Sequence, residues 1–138
     1  MKFDIPSSPG TYALIMEAQK GEKIQVGKLG YFEVASGFYV YVGSAFGPGG
    51  LKARLNRHLK HDKKCRWHID YLRKYLNVVD IWHTTSPEKK ECLWAQDFIK
   101  KGGRIHFKGF GSSDCKCQSH LFFFADKPEQ NNLLGLKR

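Results

Sequence analysis

Residues 47–50, with the sequence Gly-Pro-Gly-Gly, constrain the fold most, because neither a strand nor a helix continues easily through such a run. The sequence before this break predicts short strands rich in aromatic and β-branched residues. They cover residues 11–17, 23–26, 31–34 and 38–42. The first third of the chain is therefore expected to form an antiparallel meander.

Helical spacing begins after the break. Leu51, Leu55 and Leu59 recur every four residues and predict an amphipathic helix over residues 51–60. Further helices are predicted over 67–76 and 87–101, the latter with Ser86 as its N-cap. Strands are predicted over 78–84, 105–108 and 121–125. This order predicts an α+β fold, in which three helices pack on a small, mostly antiparallel sheet.

Size and composition predict one domain over residues 1–127 with a polar tail over 128–138. The chain has 138 residues and 41% of them are hydrophobic, which excludes disorder as the main state. No apolar run approaches the roughly 20 residues of a membrane span, so no membrane association is expected. No secretory signal is visible, so the four cysteines are expected to stay reduced in a cytoplasmic protein.

The charge balance is strongly basic. Lysine and arginine number 23 against 13 acidic residues, a net charge of +10. Such an excess favours a polyanionic partner, and DNA is the expected one. Seven basic residues between positions 52 and 66 form a candidate phosphate-binding strip, the alternative being an ordinary solvated helix face. They are Lys52, Arg54, Arg57, Lys60, Lys63, Lys64 and Arg66.

Several residues with useful chemistry fall at the ends of predicted elements. Tyr12 ends the sequence Gly-Thr-Tyr in the first strand, and Tyr41 begins Tyr-Val-Gly in the fourth. Arg54 and His58 lie four residues apart, in a helical row that borders the leucine stripe. Glu91 shares a helical row with apolar residues, so its carboxylate is expected to face the packed side. Charged groups rarely lie there without a partner or a metal.

This ordered set resembles the GIY-YIG nuclease superfamily, which is named after two short motifs on neighbouring antiparallel strands. The resemblance implies that Glu91 binds a metal ion, Mg²⁺ or Mn²⁺, with Glu88 as an alternative ligand one turn earlier. It implies catalytic roles for Tyr12, Tyr41, Arg54 and His58. Their chemistry suits phosphodiester hydrolysis, since an arginine can bind phosphate oxygens in bidentate fashion. A tyrosine or a histidine can orient or deprotonate water, although a tyrosine base needs a lowered pKa.

Longer phrases resemble a branch of that superfamily described only as a domain of unknown function. They read YVGSA, GPGGL, WHIDYL and KGFGSSDC and begin at residues 41, 47, 67 and 108. Some members of this branch are fused to base-excision glycosylases, which implies a metal-dependent DNA endonuclease in DNA repair. Tyr41 lies 29 positions after Tyr12, which implies an inserted hairpin. No asparagine lies between Glu91 and Gln130, which favours the alternative of a non-catalytic nucleic-acid-binding module.

A histidine and two cysteines near the C-terminus form a second candidate site. Cys115, Cys117 and His120 have the spacing C-x-C-x-x-H, which supplies three ligands that zinc accepts. A tetrahedral site needs a fourth ligand, for which the candidates are Cys65, His68 and His106. The alternative is that the glycine-rich segment 109–113 forms a loop that closes over the active site.

Overall fold

The computed structural model describes residues 5–60, 68–105, 110 and 119–128, and it confirms an α+β fold. Its strands are β1 (Gly10–Ala18), β2 (Glu22–Val26), β3 (Gly30–Val34), β4 (Gly37–Ala45), β5 (Asn77–Thr84) and β6 (Leu121–Phe124). Its helices are α1 (Gly50–Leu59), α2 (His68–Arg73) and α3 (Glu91–Lys100). The predicted tail lies outside the described residues beyond position 128.

The expectation of a meander in the first third is wrong. The main sheet has the order β5-β1-β4-β6 with antiparallel pairs, whereas β2 and β3 form a separate two-stranded sheet. The reason lies in burial. β1 and β4 are buried along nearly their whole length and therefore pair in the sheet centre, while β2 and β3 have exposed residues at alternate positions. The hairpin expected between Tyr12 and Tyr41 is confirmed.

Helices cover both faces of the main sheet. Along β1, Tyr12 and Leu14 face a core shared with Leu55 of α1 and with α2 and the β2–β3 hairpin. Ile15 faces a second core, to which α3 contributes the ring of Phe98 and neighbouring apolar residues. The period of two along the strand thus divides the apolar residues between two layers. The catalytic candidates on β1 and β4 lie on the α1 face.

The break at residues 47–50 forms the start of α1. Gly49 and Gly50 have φ angles of +82° and +58°, which favour glycine. The segment before β1 then supplies acceptors for the helix start. The carbonyl of Ser8 accepts from Leu51 N–H at 2.9 Å, and that of Pro6 accepts from Lys52 N–H at 2.9 Å. Backbone carbonyls therefore accept hydrogen bonds from the first N–H groups of α1, which in other helices are often bonded by a capping side chain.

Two helix boundaries differ from the predictions. The third helix begins at Glu91 rather than near Pro87, because the Lys90 N–H donates to the Thr11 hydroxyl at 3.2 Å and Ser86 accepts only within a local turn. The second helix ends at Arg73. Of the strand predicted over 105–108, the structure describes Ile105, which is not in a strand, while residues 106–108 lie outside the described residues; the preceding Arg104 forms an isolated bridge with Phe123. No helix in the described ranges is long and apolar enough to cross a membrane.

Candidate active site

A hydrogen bond between Tyr12 and His58 lies at the centre of the site. The Tyr12 hydroxyl lies 2.7 Å from His58 Nε2, and both side chains are buried. Tyr12 faces Gly43 across the β1–β4 pair, where a Cβ atom would collide with the Tyr12 ring. The buried Arg73 holds the C-terminal turn of α1 by donating from Nε to the His58 carbonyl at 2.9 Å. Gly43, the glycine of the sequence Tyr-Val-Gly, thus leaves room for the Tyr12 ring, because it has no Cβ atom.

Tyr41 completes a cluster of three rings. Its ring centroid lies 6.5 Å from that of Tyr12 and 5.9 Å from that of His58. The centroids of Tyr12 and His58 are 5.4 Å apart. Phe110 packs on the outer side of Tyr41 with a centroid distance of 6.2 Å. The packing holds the two tyrosines and the histidine in fixed relative positions on the α1 face of the sheet.

Two opposite charges act on this ring cluster. Against the larger effect of burial, Arg54 lowers the pKa of Tyr12 through its charge and a side-chain hydrogen bond, and its charge lowers the pKa of Tyr41 as well. Glu91 acts on both tyrosines with the opposite sign. Arg54 also lines a cavity of about 180 Å³ together with Gly47, Pro48 and other residues beside the break. Arg54 of α1 and Glu91 of α3 therefore both lie close enough to act electrostatically on the same two tyrosines.

Burial sets the protonation state of the tyrosines. It raises the pKa of Tyr12 well above its ordinary value, and the nearby Tyr41 raises it further, whereas Arg54 lowers it. Burial also raises the pKa of Tyr41, with Glu91 adding to the effect. The lowering by Arg54 does not overcome burial, so both groups remain neutral phenols at neutral pH. The lowered tyrosine pKa that a tyrosine base needs is absent in this structure.

Glu91 has a neighbour that the sequence did not indicate. The Nδ1 atom of His120 lies 3.6 Å from Glu91 Oε2. The Glu91 side chain is 27% exposed, while that of His120 is only 2% exposed. Burial lowers the pKa of His120, so the imidazole is neutral at neutral pH. Glu88, the alternative ligand, lies outside α3 with its side chain 80% exposed beside Lys90, and the choice between the two carboxylates stays a prediction.

One family model matches nearly the whole chain. The family described as "Domain of unknown function DUF123" matches residues 11–136. The chain belongs to this family. Searches of curated proteins and of solved structures found no match. The expected relation to a family described only as a domain of unknown function is thus confirmed, whereas membership in the GIY-YIG superfamily stays a prediction. The matched range includes both tyrosines, Arg54, His58 and Glu91.

The zinc hypothesis for this DUF123 chain stays a prediction. Cys115 and Cys117 lie outside the described residues, as do the candidate fourth ligands Cys65 and His106. Within the described ranges, no group of three or more histidine, cysteine or acidic residues is arranged to hold a metal ion. The structure places His120, the described member of the motif, beside Glu91.

The basic strip is described only in part. Lys52 and Lys60 are exposed, and their DNA contacts stay a prediction. Lys63, Lys64 and Arg66 lie outside the part of the chain that the structure describes. Arg57 differs from the exposed Lys52 and Lys60, because its guanidinium is paired with a carboxylate inside the protein. Its Nη1 and Nη2 atoms donate to Oδ1 and Oδ2 of Asp70 at 2.8 and 2.9 Å, and this pair joins α1 to α2.

We expect Arg57→Ala to destabilise the fold. The Asp70 side chain is fully buried and the Arg57 side chain is 26% exposed. Removing one partner of a buried pair costs about 3–5 kcal/mol, and partial exposure reduces this, so we expect a loss of about 2–3 kcal/mol in the free energy of unfolding. Urea denaturation measures the change. The control is Lys52→Ala, an exposed site on the same helix, which should change stability by less than about 0.5 kcal/mol. Equal stabilities of the two variants would contradict the structural role.

Two residues beside the candidate site could not be recognised from sequence spacing. Thr11 fixes the start of α3, and hence of Glu91, through its bond to the Lys90 N–H. His83 lies directly opposite Tyr12 in the β1–β5 pair and is buried. Finding either residue requires the order of the strands, because both act across elements that are distant along the chain. Ile81 of β5 lies in the same core as Tyr12, and the period of two along a strand places His83, two positions later, on that face.

Proposed function

We propose that this protein is a metal-dependent endonuclease of the GIY-YIG type that hydrolyses phosphodiester bonds in DNA. The observation that carries the proposal is the hydrogen-bonded Tyr12–His58 pair, beside which Arg54 and Glu91 both act electrostatically on Tyr12 and Tyr41. An acid–base pair, a phosphate-binding cation and a carboxylate are the parts that hydrolysis of a phosphodiester needs. A structural core alone would not require this combination of polar groups around two buried tyrosines.

Proton transfer in the proposed site runs through the Tyr12 hydroxyl. The phenol stays protonated, so it acts as a relay rather than as a phenolate base. As the attacking water bonds to phosphorus, the bond from phosphorus to the leaving oxygen breaks, and the leaving oxygen takes a proton from solvent water. The proton of the attacking water passes to the Tyr12 oxygen while the Tyr12 proton passes to His58 Nε2, 2.7 Å away. His58 accepts at Nε2 as the Nδ1–H tautomer. Tyr41 packs against both rings and keeps bulk water away from the relay.

Arg54 is the proposed phosphate ligand. Arg54 acts on Tyr12 through its charge and a side-chain hydrogen bond, and it lines the cavity beside residues 47–50. A scissile phosphate in that cavity would lie next to the relay and could receive two parallel N–H bonds from one side chain. The charge would then stabilise the additional negative charge that develops on the phosphate oxygens in the transition state.

Glu91 is the proposed ligand for Mg²⁺ or Mn²⁺. The residues fit such an ion, because Glu91 offers a partly exposed carboxylate and the adjacent His120 is neutral and does not compete as a cation. A single carboxylate is adequate when water and substrate phosphate supply the remaining oxygens. When bound, the ion supplies Lewis acidity that polarises the phosphoryl group.

The surrounding charge supports DNA as the substrate. The net charge of +10 favours association with a polyanion, and Lys52 and Lys60 are exposed on or beside α1, the helix that carries Arg54 and His58. We place the activity in DNA repair because the chain resembles a branch whose members are sometimes fused to base-excision glycosylases. The cytoplasmic location expected from the sequence remains part of this proposal.

A non-catalytic nucleic-acid-binding module is the second candidate function. The observation in its favour is the burial of both tyrosines, which keeps them from acting as phenolate bases. Incubation with plasmid, branched and abasic DNA in Mg²⁺, in Mn²⁺ and in EDTA separates the two candidates. The nuclease proposal predicts cleavage of at least one substrate that stops in EDTA. Salt-sensitive binding of every substrate without cleavage would support the binding module and overturn the nuclease.

Arg54→Lys should slow cleavage while leaving DNA affinity nearly unchanged. Lysine keeps the charge but loses the bidentate fork, so we expect the single-turnover rate to fall roughly tenfold to a thousandfold. The matched control is Arg104→Lys, an exposed arginine beside β6 outside the site, which should cleave at the wild-type rate. Arg57 would be a poor control because it pairs with Asp70. Equal losses at Arg54 and Arg104 would mean that Arg54 acts only as surface charge.

A further inference from the structure

His120 is fixed rigidly to the centre of the main sheet. Its N–H donates to the Phe110 carbonyl at 2.8 Å, and its carbonyl accepts from the Val42 N–H at 2.9 Å. Val42 lies between Tyr41 and Gly43 on β4, so the backbone of His120 is held by the strand that carries the second tyrosine. The side chain is buried. Both the backbone and the ring of His120 are therefore confined.

Glu91 is held less tightly than its neighbour. It is the first residue of α3, and its side chain is partly exposed. The backbone before it is anchored where the Lys90 N–H meets Thr11, but a glutamate side chain has three rotatable bonds beyond that anchor. A carboxylate in this position needs a second contact to be held in one orientation. His120 Nδ1, 3.6 Å from Glu91 Oε2, is in place to provide that contact.

We propose that His120 is a positioning residue, which holds the Glu91 carboxylate in the orientation that binds the divalent cation. The inference rests on the proposed cation-binding role of Glu91. It assigns His120 a function separate from zinc binding with Cys115 and Cys117. Groups that orient a metal-binding carboxylate contribute about 10–100-fold in metal affinity or activity.

Two nearly isosteric substitutions test the role. His120→Asn places an amide where Nδ1 lies, whereas His120→Leu fills a similar volume without a polar atom. Mn²⁺ affinity, measured by electron paramagnetic resonance without DNA, is the readout that a purely structural role would not move. We expect His120→Leu to weaken Mn²⁺ binding about 10–100-fold and His120→Asn to retain affinity within about threefold of the wild type. DNA affinity in EDTA should be unchanged in both variants.

The remaining outcomes also decide the proposal. Equal Mn²⁺ affinity of His120→Leu and the wild type would overturn it, as would a tenfold or greater loss in His120→Asn. If the leucine variant does not fold, the asparagine variant decides alone by the same criterion. Glu91→Gln separates the proposal from the nuclease hypothesis. If Mn²⁺ binding depends on Glu91 and His120 while no DNA is cleaved, the positioning role stands and the nuclease fails. Mn²⁺ binding unaffected by Glu91→Gln would overturn the positioning role.

Discussion

Glu91→Gln should reduce metal-dependent cleavage of DNA on the order of 1000-fold. Glutamine keeps the shape of the side chain but removes the charge that would hold the cation. A bound cation contributes several kcal/mol to the transition state, and each 1.36 kcal/mol corresponds to about a factor of ten in rate. The partial exposure of Glu91 means that the fold should tolerate the change. Single-turnover rates with excess protein over DNA measure the effect directly.

The matched control for Glu91→Gln is Glu88→Gln. Glu88 lies three positions earlier, carries the same group and is mostly exposed. Removing its charge changes the net charge of the protein by the same amount, so any general effect on DNA affinity cancels in the comparison. We expect the Glu88 variant to cleave at the wild-type rate. Equal losses in the two variants, or full activity in Glu91→Gln, would contradict a cation-binding role for Glu91.

Tyr12→Phe should lower the cleavage rate by roughly 100-fold to 10,000-fold, which is the usual contribution of one general acid–base group. The substitution removes the hydroxyl that is proposed to link the attacking water to His58. It also leaves the buried His58 Nε2 without this hydrogen bond, which costs about 1–3 kcal/mol in the free energy of unfolding. The rate must therefore be measured well below the Tm of the variant.

Tyr39→Phe separates the loss of the relay from the loss of a buried hydroxyl. Tyr39 is also buried, and its hydroxyl accepts from the Ala35 N–H at 3.0 Å, away from the candidate site. We expect its removal to destabilise the protein by a similar amount and to leave the cleavage rate unchanged. A binding module predicts that neither variant alters function. Comparable losses of activity in both variants would show that the Tyr12 effect arises from weakened folding.

Features that depend on a local sequence pattern could be predicted from the sequence. The leucine stripe indicated α1, and the row of Arg54 and His58 beside it indicated side chains at the edge of the core. The His58 side chain is fully buried in the structure, whereas the spacing predicted a position at the edge of the core. The spacing of Tyr12 and Tyr41 indicated an inserted hairpin, because the two motifs need neighbouring strands and the intervening residues need their own pairing.

Contacts between distant segments could not be predicted in this way. The start of α3 depends on a hydrogen bond from Lys90 to Thr11, 79 positions away, which overrides the capping signal at Ser86 and Pro87. Arg57 matched a strip of surface charge because its partner Asp70 belongs to another helix. His120 was grouped with nearby cysteines on spacing alone, although its described acidic neighbour is Glu91 of α3. In each case the deciding contact depends on tertiary packing.

The proposed function requires that Tyr12 and Glu91 belong to one hydrolytic site. This requirement can be tested by nicking of a supercoiled plasmid in Mg²⁺ by the wild type, Tyr12→Phe, Glu91→Gln and the double variant. Groups that act as a unit are strongly non-additive in rate. We predict nicking by the wild type that stops in EDTA, a loss of at least about 100-fold in each single variant, and a double variant no slower than the slower single one. Wild-type protein that binds the plasmid without nicking it, or single variants as active as the wild type, would contradict the account.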